Sequence, residues 1–193
     1  MKKIFLLITL LYITGCFGGS SPNSIFYKIS SQEVATEERN NQIKKSIGID
    51  SVIIPNYLNR PQIVTKDAAN YELTISEFNR WGENLSGMLQ RTIAEDLAQL
   101  MPKAQVKPRV NIIENFDYLV RVEIMSFDGT FDETANLKAW WSVFDAEDNL
   151  LVRKQAKLSV ALQGDYNDYA AQQSLLVMDL SKEIAKSIKE LKK

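Results

Sequence analysis

Apolar residues along the 193-residue chain recur with two different periods, and the changes between them mark out the elements. Leu85, Met88, Leu89, Ile93, Leu97 and Leu100 fall at helical spacing as far as Met101, and Pro102 ends the run. This predicts an amphipathic, core-packing helix of about four to five turns, with Asn84 as a polar cap. A second helix is predicted over 167–191 from Tyr169, Leu176, Val177, Leu180, Ile184, Ile188 and Leu191, with Asp165 or Asn167 to cap its start. Lys186, Lys189, Lys192 and Lys193 suit the negative end of its dipole.

Elsewhere the period is two. It predicts a short strand over 24–29, a buried strand over 47–54 stopped by Pro55, a hairpin within 62–75, and strands over 104–113, 117–127, 137–145 and 150–162. In the strand over 117–127, Tyr118, Val120, Val122 and Ile124 point one way, and Leu119, Arg121, Glu123 and Met125 the other. The neighbours Trp140 and Trp141 must face opposite sides of their strand, so one of them is expected at an interface or under a helix. Residues 30–46 are polar and charged and are expected to form an exposed loop, and 146–149 a solvated hairpin turn. Two helices that each need an apolar surface, with a run of alternating strands, predict an α+β domain in which both helices pack on one face of a mixed, mostly antiparallel sheet. There is no internal repeat and no sign of a second domain, so residues 25–193 are expected to be one domain.

The first residues belong to neither pattern. Lys2 and Lys3 precede eleven uncharged residues, Ile4 to Thr14, and small Gly15 stands before Cys16, which is the arrangement of a secretory signal peptide over 1–15. The apolar run falls short of the roughly 20 residues that a membrane-spanning helix needs. Ile13-Thr14-Gly15-Cys16 resembles the bacterial lipobox, in which the thiol is diacylated before the leader is cut off ahead of it. The resemblance makes Cys16 the lipidated first residue of the mature chain, and Phe17, in place of an inner-membrane-retaining aspartate, implies the periplasmic face of an outer membrane. More than one acyl chain makes such anchoring effectively permanent, at about 0.8 kcal/mol for each buried methylene. Residues 16–24 then read as the lipidated terminus and a flexible tether, and the eight residues 17–24 span at most about 27 Å.

Without residues 1–15 the chain keeps 21 basic and 24 acidic residues, a net charge of −3, so no basic excess points to nucleic acid. There is no histidine, and the single cysteine is taken by lipid. Histidine bases, cysteine nucleophiles, disulfides and imidazole or thiolate metal sites are thereby excluded. The carboxylate pairs Glu95-Asp96, Asp132-Glu133 and Glu147-Asp148 are expected to be solvated faces. No catalytic residue, metal or cofactor is expected beyond the covalent lipid on Cys16.

Tyr57-Leu58-Asn59-Arg60-Pro61-Gln62-Ile63-Val64, followed by Ser76-Glu77-Phe78-Asn79-Arg80-Trp81-Gly82-Glu83-Asn84-Leu85 and then Leu97-Ala98, resembles the PqiC-type ABC-type transport auxiliary lipoproteins. The resemblance runs from Phe26-Tyr27 to the last helix, with Asn79, Gly82 and Asn84 where the family usually has histidine, alanine and proline. It implies a fold similar to the TolB N-terminal domain. It also implies a role in an intermembrane phospholipid transport system, as an outer-membrane receptor for an MCE-domain protein of PqiB type, with self-association into a ring. The alternative is a structural envelope lipoprotein that stabilises an ABC transporter or another periplasmic assembly without handling lipid. The stretch from 57 to 85 is the expected partner surface. Tyr57, Phe78 and Trp81 would give apolar contact there, while Arg60, Arg80 and Glu77 contribute charges that a core does not need.

Overall fold

The computed structural model describes residues 22–35, 43–67, 71–111 and 113–191. The leader, Cys16 and most of the tether lie outside them. In chain order the elements are β1 (Ile25–Tyr27), β2 (Ser46–Ile49), a 3₁₀ turn (Asn56–Leu58), β3 (Gln62–Lys66), β4 (Leu73–Trp81), α1 (Leu85–Leu100), β5 (Gln105–Pro108), β6 (Tyr118–Thr130), β7 (Thr134–Asp145), β8 (Leu150–Ala161) and α2 (Tyr166–Glu190).

The class is α+β as expected, but the strands divide into two sheets where one was predicted. Five strands run in the order β5-β2-β6-β7-β8, and three in the order β1-β4-β3. β2 is parallel to both its neighbours, and β6, β7 and β8 form an antiparallel meander. In β7, Ala135, Leu137, Ala139, Trp141 and Val143 are buried toward the helices. Trp141 is thus the tryptophan under a helix, while Trp140 is partly exposed on the other face beneath the Arg153 guanidinium, 5.2 Å from its ring centre. Both helices begin on the expected caps: Asn84 Oδ1 accepts from the Gly87 amide at 3.3 Å, and Asp165 Oδ1 from the Asn167 and Asp168 amides at 2.8 and 3.3 Å. Each cap satisfies amides that have no partner inside the helix.

Four expectations from the pattern are corrected. The strand over 47–54 ends as a regular strand at Ile49, yet the chain stays beside β6, with Asp50 N donating to Val120 O and Ile53 N to Val122 O. Asp50 breaks the alternation by accepting from the Ser51 amide at 2.9 Å, and Ile53 is left exposed. The strand over 104–113 shrinks to Gln105–Pro108, since Pro108 brings no amide to continue a ladder. β4 runs on through residues 76–81, past the end of the hairpin expected within 62–75. In the polar stretch 30–46, the described residues on either side of 36–42 are anchored in the core by Val34 and Ile43 and are not an exposed loop.

Burial of Val34 goes with a polar pin. Asp96, expected on a solvated face, is fully buried on α1. It accepts from Ser31 Oγ (2.5 Å), from Ser181 Oγ on α2 (3.1 Å) and from the Gln32 backbone amide. Gln99 Nε2 adds a bond to Ser31 Oγ at 2.7 Å. Burial pushes the Asp96 carboxyl up to about 6, against the three donors that favour its charge. Asp117 is the opposite case: Lys45 Nζ, the Ser46 amide and Ser46 Oγ donate to it at 2.7–2.8 Å and hold it down at about 2. It clasps the start of β2 to the start of β6.

These two carboxylates predict opposite pH dependences. The raised Asp96 contributes stability that is fully present below the unfolded value near 3.8 and lost as pH rises through about 6. Asp96→Asn should flatten that part of the profile, by up to about 3 kcal/mol for a shift of about two units. Thermal midpoints of the two proteins between pH 4 and 8 check this, and parallel profiles would refute it. The lowered Asp117 contributes stability present above 3.8 and lost as pH falls through about 2. Its side chain is more than a third exposed, so solvent screening leaves about 1 kcal/mol for Asp117→Asn at neutral pH, measured by denaturant unfolding.

Candidate functional site

The residues expected to form the partner surface are drawn together around one irregularity of β4. In the β3–β4 ladder Gln62 pairs with Arg80, but Val64 pairs with Ile75. Two steps along β3 thus match five along β4, and residues 76–79 bulge out of the ladder. The bulge closes on itself: Ser76 Oγ accepts from the Asn79 amide at 3.0 Å and from Asn79 Nδ2 at 2.9 Å, while Arg80 Nη2 donates to Glu77 O at 3.3 Å. Tyr27 OH on β1 donates to Asn79 Oδ1 at 3.0 Å, so the asparagine is spent on joining strands. Bulges of this kind turn the side chains that follow, and here they swing Trp81 inward.

Trp81 is 3% exposed. Its ring stands 6.3 Å from Phe127 on β6 and 6.2 Å from Tyr169 on α2, in tilted contacts. Its amide donates to Pro61 O at 2.7 Å, which sets Arg60 and Arg80 beside the same bond. On the other strand the 3₁₀ turn buries Leu58 and leaves Tyr57 half-buried. Burial, and then the Asp128 carboxylate, push the Tyr57 hydroxyl up, partly opposed by a hydrogen bond with the Phe127 backbone. Asn84 Nδ2 donates to Asn59 Oδ1 at 3.3 Å, tying this turn to the head of α1.

Tyr57, Arg60 and Arg80 therefore share one rim, Glu77 is exposed on the bulge with Phe78 half-buried beside it, and Trp81 lies beneath them in the core. Among the described residues, neither Arg60, Arg80 nor Glu77 forms an ion pair. The Arg60 Nε is buried without a hydrogen-bond partner there. The rim displays charge above a rigid aromatic floor. Among the described residues no three His, Cys, Asp or Glu side chains converge as metal ligands, and no helix is long and apolar enough to cross a membrane.

The pattern missed two charged sets. One is the Asp96 pin, which adjacent Glu95 disguised as a solvated pair. The other joins Arg121 to Asp50 (3.3 Å) and to Asp148 (2.9 Å), with the guanidinium 4.3 Å above the Phe144 ring. Asp148 adopts φ 64° in the β7–β8 turn, a conformation that aspartate tolerates better than most residues.

The fold is shared with known structures. One solved protein of unassigned role superposes with a TM-score of 0.72 at 17% identity, over 86% of this chain and 99% of that one. Protein XCC0632 from Xanthomonas campestris gives 0.70 at 12% identity, over 87% and 96%. The PelC dodecamer from Paraburkholderia phytofirmans gives only 0.44 at 9% identity, over 88% and 92%. No curated protein matches the chain. The model of one family, the ABC-type transport auxiliary lipoprotein component, matches residues 27–185, which takes in the whole rim and all elements but the start of β1 and the last turn of α2, and the chain belongs to that family.

Proposed function

We propose that the chain is a lipid-anchored subunit at the periplasmic face of the outer membrane, where it docks an MCE-domain protein of an intermembrane phospholipid transport system. The observation that carries the reading is the family match over 27–185, in a chain whose Cys16 closes a lipobox-like leader. The family description supplies the auxiliary transport role and the lipoprotein character. The outer membrane comes from Phe17, and the MCE partner from the resemblance of the 57–85 motifs to PqiC-type proteins.

The rim supplies a means of docking. Arg60 and Arg80 meet acidic groups of the partner or of a neighbouring subunit, with Tyr57 and Phe78 as the apolar contacts and Trp81 holding the floor rigid. Self-association into a ring would place several such rims around the end of one channel. Two described clefts are lined largely by charged side chains, by Arg109, Glu114, Arg121 and Asp148 in one and by Lys44, Lys45, Lys103 and Asp117 in the other, and a third sets Lys28, Glu83, Arg91 and Glu95 around Ile29 and Met88. Such linings suit a docking subunit better than one that shelters acyl chains, and they favour the second reading, a lipoprotein that stabilises its assembly without carrying lipid itself. Assay of the purified protein for bound phospholipid separates the two in part, and co-purification of an MCE partner separates them better.

Two outcomes test the docking reading. Cys16→Ser should release the protein from the membrane fraction on cell fractionation, and a variant still wholly in the outer membrane would remove the basis of the account. Arg60→Glu combined with Arg80→Glu should abolish pull-down of the MCE partner while costing no more than about 1 kcal/mol of stability, since both side chains lie at the surface and only part-buried. Collapse of the thermal midpoint would instead make these arginines structural.

A further inference from the structure

β1 lies parallel to β4, with Ile25 level with Asn79 and Phe26 level with Arg80. The β4 bulge folds five steps of that strand into two steps of β3, about 7 Å at ~3.3 Å per residue. Ile75, opposite Val64, therefore stands only about 7 Å along the sheet from the level of Phe26, and Leu73 follows opposite Lys66. Followed backwards from Tyr27, β1 runs toward this same end, so the chain that precedes it leaves the sheet in the direction of Ile75 and Leu73.

At this end apolar side chains stand in water. Ile75 is 47% exposed, Leu73 43% and Tyr71 100%. A single exposed leucine is ordinary, but three large apolar side chains at alternate positions where β4 begins, all at one end of one small sheet, are not scattered.

We propose that this end of the three-stranded sheet is seated in the interfacial layer of the membrane, with Leu73 and Ile75 immersed and Tyr71 at the level of the lipid headgroups. The inference rests on the reading of Cys16 as the lipid anchor for its setting. The membrane is favoured over a second copy of the chain because the eight residues 17–24 keep Ile25 within about 31 Å of the acylated cysteine, so this end is the one held against the bilayer. Tyrosine, apolar in its ring and polar at its hydroxyl, suits the interface. Charge at this end is mixed, Lys66 with Asp67 and Glu72, so the contact depends on apolar burial and is insensitive to salt. Seated this way, the sheet carries Gln62, and with it the Arg60 and Arg80 rim, about 13 Å farther from the bilayer than Lys66, along the four steps of β3. The membrane end and the docking rim would then be the two ends of one sheet.

The test uses the chain from residue 16 with Cys16→Ser, a hexahistidine tag ahead of it, and Leu73→Cys carrying the environment-sensitive fluorophore NBD. The described fold, from Pro22 on, is retained whole. Capture on phosphatidylethanolamine and phosphatidylglycerol vesicles doped with a nickel-chelating lipid should shift NBD emission to the blue, and nitroxide-labelled lipid should quench it. The same label at Ser159 of β8 should stay as in buffer. Tyr71→Ser with Ile75→Ser should at least halve the shift at an unchanged thermal midpoint, and added salt should not alter it. Emission on vesicles identical to that in buffer overturns the proposal. So does a blue shift that appears in buffer and grows with protein concentration, which would assign the patch to a second copy. The tag replaces the acyl chains, so failure here leaves the Cys16 reading standing, and failure of Cys16→Ser to release the protein leaves this one to be decided by the label alone.

Discussion

The phenol of Tyr169 reaches every layer of the molecule. Its hydroxyl lies 3.3 Å from Val64 O on β3 and 3.4 Å from Phe127 O on β6, so one proton shared between two carbonyls links the two sheets from a helix that covers one of them. Full burial holds the hydroxyl far above its ordinary titration range, which keeps it a donor at any physiological pH. Its ring lies 6.2 Å from Trp81 and 6.3 Å from Phe131. The packing is possible because Gly129 has no side chain: a Cβ there would stand 2.9 Å from the Tyr169 ring and 3.0 Å from Thr134 O. The position of the docking rim follows from this contact, since Trp81 is fixed by Tyr169 from below and Arg60 and Arg80 are fixed by the Pro61–Trp81 hydrogen bond above it.

Asp96 does for the amino-terminal segment what Tyr169 does for the sheets. Residues 29–34 form no regular element, and a segment without ladder or helix bonds must satisfy its backbone some other way. Here helix side chains do so: Thr92 Oγ1 donates to Ile29 O, Ser174 Oγ accepts from the Ser30 amide, and Asp96 accepts from Ser31 and Gln32. Hydrogen bonds of this kind place a polar stretch with little apolar area in one position. They also mean that a pull on the tether is resisted first by β1, through its ladder with β4, and then by this buried network.

The two surfaces of the small sheet differ in what stabilises them. The rim is charge over a rigid floor, and its arginines find no acidic partner among the described residues. The opposite end is apolar and open to water, at a modest cost for each side chain of the order of 1 kcal/mol. A bulge of four residues brings these surfaces to either end of a strand pair about 13 Å long.

What the sequence determined by itself is what repeats along it or depends on neighbours. Both helices, the Asn84 cap, a cap at Asp165 or Asn167, the strands of the meander and the opposite facing of Trp140 and Trp141 were legible, because helical period, capping chemistry and strand alternation are local rules, whereas which tryptophan turns inward was not. The motif 57–85 was legible as a unit, and the two halves do meet at Pro61 and Trp81. Tertiary structure alone decided the rest. The division into two sheets depends on the β4 bulge, which shows only as a mismatch between Gln62–Arg80 and Val64–Ile75. Burial of Asp96 depends on donors 65 positions before it and 85 after it, which no local pattern joins. Ile25 and Phe26, read along the chain as an ordinary strand, stand in water because β1 is an edge of the small sheet and not its middle. A side chain's period fixes which face it takes; only the register and the neighbours of its strand fix whether anything covers that face.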